Sequence, residues 1–313
     1  MPLTAPIRTL GGTVAHLFHD KRHGPRCQWC SHQLERAQTP VASRKFHPIG
    51  SDLVATGDPI HKRALLVGID YLDDKANRLR GCINDANNIH QFVTTYLGYT
   101  DTRVLCDDRP QLLPTRANLL TGIEWLLAGA ISGDHLFFHY SGHGTRQKDR
   151  DGDEHDGFDE VLVPCDFRRA GYISDDELYD RLVDQVPDGV TLTVVMDCCH
   201  SGTMLDLPRT YRSHRGAIIR RTQQKYVNGR VVCVSAAMDT QTATDVASTD
   251  QKPAHGALTH ALMQTMANKQ YRVTLKYLLK TLTTQLHTFQ QTPCVSLTDN
   301  VKLEEFYFGI ENH

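Results

Sequence analysis

Two short segments carry the residues best suited to chemistry. Asp197-Cys198-Cys199-His200-Ser201-Gly202 follows the apolar run Thr191 to Met196, and His139-Tyr140-Ser141-Gly142-His143-Gly144 closes the run that begins at His135. A thiol beside an imidazole is enough for nucleophilic catalysis: the thiolate attacks, and the imidazole takes up and returns the proton. Neighbouring parallel strands of an open α/β sheet bring such groups together at their carboxyl ends. Cys198 and Cys199 are sequence neighbours that point opposite ways, so at most one faces the site, and chemistry alone does not choose between them. A helix starting at the cysteines, together with a nearby imidazole, would lower the thiol pKa. His143 is preferred over His200 as the base, because adjacent residues rarely reach proton-transfer geometry. Gly142 and Gly144 permit a tight turn around His143. The amides of Gly144 and Cys199 could form an oxyanion hole. His139 lies within the strand and reads as a satisfied core residue.

The elements that must position these groups alternate. Strands are expected at 64–69, 103–106, 135–140, 161–164, 191–196 and 231–235. Helical spacing covers 84–97, with Ile89, Phe92, Val93 and Leu97 on one face, and 115–128, with Thr115 as its N-cap. Ser174 caps an acidic helix start at Asp175, Asp176 and Glu177, which complements the helix dipole. Two more helices are expected at about 255–268 and 273–289, and a last edge strand near Phe306 to Phe308. Residues 208–228, rich in Arg and Lys, read as an exposed loop. Strands alternating with helices imply βαβ units and a mostly parallel, doubly wound α/β sheet.

Composition narrows the class. The chain has 313 residues, 40% hydrophobic and 22% charged, as in an ordinary globular protein. A net charge of −2 gives no reason to invoke nucleic acid or an anionic membrane. No run of eighteen apolar residues occurs, so no membrane span is expected, and the N-terminus does not read as a secretory signal. Nine cysteines, mostly in apolar strands, suit reduced thiols and a cytoplasmic setting. Residues 1–60 lack periodicity and read as a weakly ordered extension. Its Cys27-Gln28-Trp29-Cys30 has the spacing of half a zinc site, with no second half following.

These motifs, with Ala64 to Tyr71, Gly81-Cys82-Ile83-Asn84-Asp85-Ala86, Asp159 to Asp166 and Ser235 to Asp245, resemble the metacaspases from about Lys62 to Gly309. The resemblance implies a caspase-like fold, a three-layer αβα sandwich, spanning 61–313. It has a large-subunit-like part at 61–207, a linker at 208–228 and a small-subunit-like part at 229–313, preceded by a prodomain. The short linker is similar to that of type I members. In the family motif the cysteine before the histidine is the nucleophile, which selects Cys199, with His143 as its base and Gly144 at the oxyanion. Asp85 and Asp197 match the family's acidic specificity pocket, lined by Cys82 and Ser141. Paired carboxylates suit the planar fork of arginine. The resemblance also implies Ca2+ at Asp159, Asp175, Asp176 and Asp206, oxygen ligands of the kind a hard cation takes. The acidic run from Asp149 to Glu160 is not an EF-hand, because Glu154 stands where the loop needs glycine.

The expected function is therefore a calcium-dependent cysteine endopeptidase cleaving protein or peptide substrates after Arg or Lys. It is expected to act as a monomer, with self-processing of a zymogen in the basic linker, for instance after Arg215, Arg221 or Lys225. The rival readings are a catalytically silent caspase-like scaffold and a calcium-independent, paracaspase-like peptidase.

Overall fold

Gly68, at the end of the first strand, shows how tightly the layers meet: a β-carbon there would overlap the carbonyl of Cys82 and lie 2.9 Å from the Ala86 methyl. Only glycine lets the first helix lie this close to the sheet, and that helix carries Asp85. The computed structural model describes residues 60–148, 158–199, 204–212, 217–220, 227–238, 245–246 and 255–309. These belong to one compact unit, residues 51–248 and 253–313.

The elements run β1 (Lys62–Gly68), α1 (Cys82–Tyr96), β2 (Asp101–Cys106), α2 (Arg116–Leu127), β3 (His135–Ser141), β4 (Gly144–Lys148) and β5 (Phe158–Leu162). Then come α3 (Phe167–Ala170), β6 (Ile173–Ser174), α4 (Asp175–Leu178), β7 (Thr191–Asp197), β8 (Arg209–Arg212), β9 (Ala217–Arg220) and β10 (Arg230–Met238). The last are β11 (Asp245–Val246), β12 (His255–Gly256), α5 (Ala257–Asn268), β13 (Arg272–Thr274), α6 (Leu275–Leu286), β14 (Gln291–Leu297) and β15 (Tyr307–Gly309). The main sheet has the order β2-β1-β3-β7-β10-β14-β8-β9. Its first five strands are parallel, and β14, β8 and β9 each run antiparallel to the strand before.

Alternation along the strands divides the core. Leu65, Val67, Leu136, Phe138, Leu192 and Val194 join α2 residues Leu119, Ile123 and Leu126 in one buried cluster. Ser141 and Asp197 point to the opposite face and bond α1 and α5 respectively. Thr115 caps α2 by accepting from the Asn118 amide, and Ser174 caps α4 by accepting from that of Glu177. Both caps are those expected from the sequence. The main correction is at 208–228. Instead of an exposed loop, β8 and β9 extend the sheet, with Thr210 buried and Arg209 bonded to the carbonyls of Thr298 and Val301. The other unforeseen strands include β14, pairing with β10, and β4, pairing with β5. The C-terminal strand β15 does not edge the main sheet but pairs with β13 in a separate ribbon. Among the described residues no helix is long and apolar enough to cross a membrane. The 1–59 extension with Cys27 and Cys30, the run 149–157, residues 200–203 and the linker sites Arg215, Arg221 and Lys225 lie outside the described residues.

His139 is buried as expected, but among the described residues neither ring nitrogen has a hydrogen-bond partner, so it is not the satisfied residue its position suggested. Burial alone pushes its pKa down to about 3. The unfolded chain therefore takes up this proton near pH 6.5 and the folded chain only near pH 3. His139 stabilises the fold above pH 6.5, and this contribution is lost as pH falls, by about 1.4 kcal/mol per unit. Urea unfolding between pH 7 and 5 checks this: His139→Leu should show a shallower loss of stability than the unaltered chain, and equal slopes contradict it.

Candidate active site

The register sets the site. Ser141 at the end of β3 pairs with Asp197 at the end of β7, and with Gly68 of β1 on its other side. The chain beyond β3 turns through Gly142-His143-Gly144, and the chain beyond β7 enters Cys198-Cys199. The two stretches touch: a β-carbon on Gly144 would overlap the Cys199 carbonyl and lie 3.3 Å from Cys198 Sγ. Glycine is therefore required where the histidine turn crosses the cysteines. This contact lays the turn that carries His143 and Gly144 against the main chain of Cys199.

His143 is held by its surroundings rather than by an acidic side chain. Its Nε2 lies 2.7 Å from the Asn77 carbonyl, which can only accept, so the proton is on Nε2 and the lone pair on Nδ1. Its backbone N–H donates to Tyr71 Oη at 2.9 Å, and the Tyr71 ring lies 4.6 Å from the imidazole. Tyr71 Oη in turn donates to the Val163 carbonyl at 2.7 Å, and Tyr140 Oη donates to the carbonyl of His143. Tyr71 adopts φ of 51°, a left-handed backbone costly for an aromatic residue. The Asn77 carbonyl is presented by a turn on Asp74, whose carboxylate accepts from the Asn77 amide and from Arg168. The sequence reading did not assign Tyr71, Asn77 or Asp74 to the site. A main-chain carbonyl has no sequence signature, and a left-handed tyrosine is visible only in coordinates.

Cys198 and Cys199 are both nearly buried, 6% and 8% exposed, yet they separate by surroundings. Cys198 packs in the apolar cluster on the α2 face, near the Tyr140 hydroxyl. Cys199 stays out of that cluster and feels the charge of Asp197. Its thiol pKa is raised, first by burial and then by Asp197. This reverses the expectation of a helix-lowered thiol: residues 204–208, the first described after Cys199, are not helical. The resting thiol is therefore protonated at neutral pH.

The acidic pair is the second feature of the site. Asp85 is fully buried in the first turn of α1, where its Oδ2 accepts from Ser141 Oγ at 2.8 Å and from the Gly256 amide at 2.9 Å. Asp197 Oδ2 accepts from the Thr259 amide at 2.7 Å. A β-carbon on Gly256 would overlap Asp197 Oδ2 and lie 2.7 Å from Asp85 Oδ2, so both carboxylates close on this glycine. Gly256 is the N-cap of α5 and has no side chain to cap it; the aspartates from two other elements serve instead. Burial, then the charge of Asp197, pushes Asp85 well above the usual carboxylate range. Cys82 begins α1, and its amide is capped by Asp70 Oδ1 at 2.9 Å. His255, Gly256 and Thr259 were not singled out as site residues in the sequence, because they lie some sixty residues beyond Asp197 on a different element.

The four carboxylates assigned to calcium are spread over β5, α4 and the chain after β7. Asp175 Oδ2 accepts from the Glu160 amide and its Oδ1 from the Asp176 amide. Asp159 Oδ2 accepts from Gln147. Burial, then the charge of Asp206, raises the Asp175 pKa to about 8. These are oxygen donors of the type calcium takes, and Asp206 lies near enough to repel Asp175. Among the described residues, however, no group of three or more His, Cys, Asp or Glu is gathered closely enough to hold a metal ion. The donors fit the cation by chemistry but are not assembled around a preformed site.

Two outcomes follow for this site. With Cys198 replaced by Ser, alkylation of Cys199 by iodoacetamide should keep rising above pH 9, and Asp197→Asn should shift the profile to lower pH; an unchanged profile would contradict the electrostatic coupling. Tyr71→Phe removes the acceptor of the His143 amide, a loss of about 1–3 kcal/mol if the amide stays buried. It should reduce kcat for any substrate turned over while leaving KM near its original value, and an unaltered kcat would show that the hydroxyl does not position the imidazole.

Residues 62–208 match the family model described as metacaspase, peptidase C14 domain. Metacaspase-1 of Candida glabrata is 49% identical over 161 residues, 50% of this chain and 41% of the relative. Metacaspase-1 of Saccharomyces cerevisiae is 50% identical over 161 residues, 50% of this chain and 37% of the relative. The chain thus spans well under half the length of these curated relatives. A solved protein of Geobacter sulfurreducens superposes with a TM-score of 0.57 at 23% identity, covering 78% of this chain and 97% of that one, a likeness of fold alone. Residues 62–208, which contain His143, Cys199, Asp85 and Asp197, therefore match the metacaspase family of cysteine peptidases.

Proposed function

We propose that the chain is a cysteine endopeptidase that cleaves after Arg or Lys, and that calcium supports its active form. The observation that carries the specificity is the closure of Asp85 and Asp197 on Gly256, with Asp197 itself two residues before Cys199. Two buried like charges repel, and a basic side chain placed between them relieves that repulsion while its hydrogen bonds satisfy both oxygens. Arg fits better than Lys, because its planar fork donates in two directions. An aspartate side chain would add a third negative charge, so cleavage after Asp is disfavoured.

In the proposed reaction Nδ1 of His143 accepts the Cys199 thiol proton as sulfur attacks the scissile carbonyl. The Gly144 and Cys199 amides stabilise the oxyanion, and His143 then protonates the leaving amine. Water, with His143 as base, attacks the thioester, the acid product leaves and the thiol is restored. Because the thiol pKa is raised, proton transfer to His143 accompanies attack rather than preceding it. A reducing cytoplasm suits this thiol, and a monomer is sufficient, since every group invoked comes from one chain. Calcium, held by Asp159, Asp175, Asp176 and Asp206, would neutralise crowded carboxylates and order the chain after Cys199; it takes no part in the chemistry itself. Self-processing in the basic linker follows from the same specificity, and 61–313 would be the peptidase unit behind a prodomain.

Hydrolysis of Arg, Lys and Asp peptides with calcium and with EDTA tests this reading. Arg and Lys peptides should be cleaved, Arg faster, with activity lost in Cys199→Ala and kept in Cys198→Ala. Asp85→Asn should lower kcat/KM for Arg peptides on the order of 10²-fold or more, the scale for unpairing a buried charge. Turnover of no peptide favours the silent scaffold. Full activity in EDTA, with no heat of calcium binding by calorimetry, removes the calcium assignment and leaves the peptidase reading standing.

A further inference from the structure

Among the described residues, one oxygen of Asp85 has no hydrogen-bond partner. Asp85 Oδ1 is buried and unbonded, while Oδ2 takes both donors, Ser141 Oγ and the Gly256 amide. His255 lies beside it, its Nδ1 4.0 Å away, with the imidazole 14% exposed. The ring is fixed in place. Its backbone packs on Gly81, where a β-carbon would come within 3.0 Å, and it stacks on His260 at 5.7 Å between ring centres. Nδ1 also sits 3.5 Å from Asn88 Nδ2, an amide that can only donate, so neutral His255 presents its lone pair there.

Protonation reverses this arrangement. With Nδ1–H present, the Asn88 amide faces a second donor, and the nearest strong acceptor becomes Asp85 Oδ1. We propose that His255 is a specificity-determining residue: when protonated, it competes with the substrate's basic side chain for Oδ1 of Asp85. The inference rests on the reading of Asp85 and Asp197 as the pocket for that side chain.

The groups facing His255 come from several elements. Asp85 and Asn88 are on α1 and His260 lies one turn into α5, while Asp197, which ends β7, lies against the neighbouring Gly256. On β11, Val246 pairs with His255 and Asp245 with Gly256. Burial, then His260, keeps the imidazole neutral to lower pH than an exposed histidine. At neutral pH the pocket is thus open to Arg or Lys, and acidification closes it with a charge from its own wall. The residue therefore tunes KM rather than the chemical step.

The test compares KM for an Arg peptide and the inhibition constant of agmatine between pH 7.5 and 5, for the unaltered chain and for His255→Gln. A single titrating competitor weakens apparent affinity by up to about tenfold per pH unit below its pKa. Both constants should therefore rise more steeply toward acid in the unaltered chain than in His255→Gln, with the kcat profiles superimposable. Protonation of Asp85 weakens binding in both proteins, so the difference between them isolates His255. Identical pH slopes overturn the inference. An NMR titration of the assigned His255 ring in the unaltered chain gives a second readout that needs no variant: saturating agmatine should lower its pKa, and an unmoved pKa also overturns it. If the unaltered chain neither binds agmatine nor cleaves Arg peptides, the pocket reading itself fails and this inference with it.

Discussion

Two carboxylates share the amino end of one helix, and the rest of the site is arranged around that crowding. Gly256 begins α5 without a side chain, so the exposed amides of the first turn are met by Asp85 from α1 and Asp197 from β7. The amides and the helix dipole offset part of the repulsion between the aspartates, and burial adds to it. Each supporting feature serves this close approach. Gly68 lets α1 lie on β1, Asp70 caps α1 at Cys82, and Ser141 satisfies one oxygen of Asp85 from the neighbouring strand. A bulkier residue at Gly68 or Gly256 would part elements that must stay in contact.

The same crowding reaches the nucleophile. Asp197 ends β7 two residues before Cys199, and burial of the thiol, with the charge of Asp197 second, raises its pKa. On the proposed reading, a basic side chain that neutralises Asp197 also removes the charge that opposes thiolate formation. Binding and activation then become linked through one carboxylate, and an empty site stays unreactive. His143 contributes from the other strand. Its tautomer is set by the Asn77 carbonyl and its main chain is anchored by Tyr71, a support made of neutral groups. A neutral support leaves the imidazole free to change charge without gaining or losing an ion pair.

Much of this was legible in the sequence, and the reasons differ by element. The buried parallel strands announce themselves as short apolar runs, so β1, β3, β7 and β10 were placed within a few residues. Thr115 and Ser174 act as the caps their residue types imply. The motif pair around His143 and Cys199 was visible because strand ends in such a sheet gather chemistry. What stayed hidden depends on tertiary contact. The 208–228 segment is polar enough to read as a loop, yet β8 finds a ladder on β14, and Arg209 donates to the carbonyls of Thr298 and Val301. Strand β14 is interrupted by Pro293, which weakens its pattern. His255 and Gly256 belong to a two-residue strand with no periodicity to detect. They reach the pocket only because α5 returns to the end of β7.

The central claim is that Cys199 is the nucleophile and that Asp85 and Asp197 together receive a basic side chain. A crystal structure of the chain treated with an Arg-terminated peptide aldehyde tests both at once. The account predicts a bond from Cys199 Sγ to the aldehyde carbon, with the guanidinium lying between the two carboxylates beside Gly256. A bond to Cys198, or a guanidinium lodged away from Asp85 and Asp197, would contradict it.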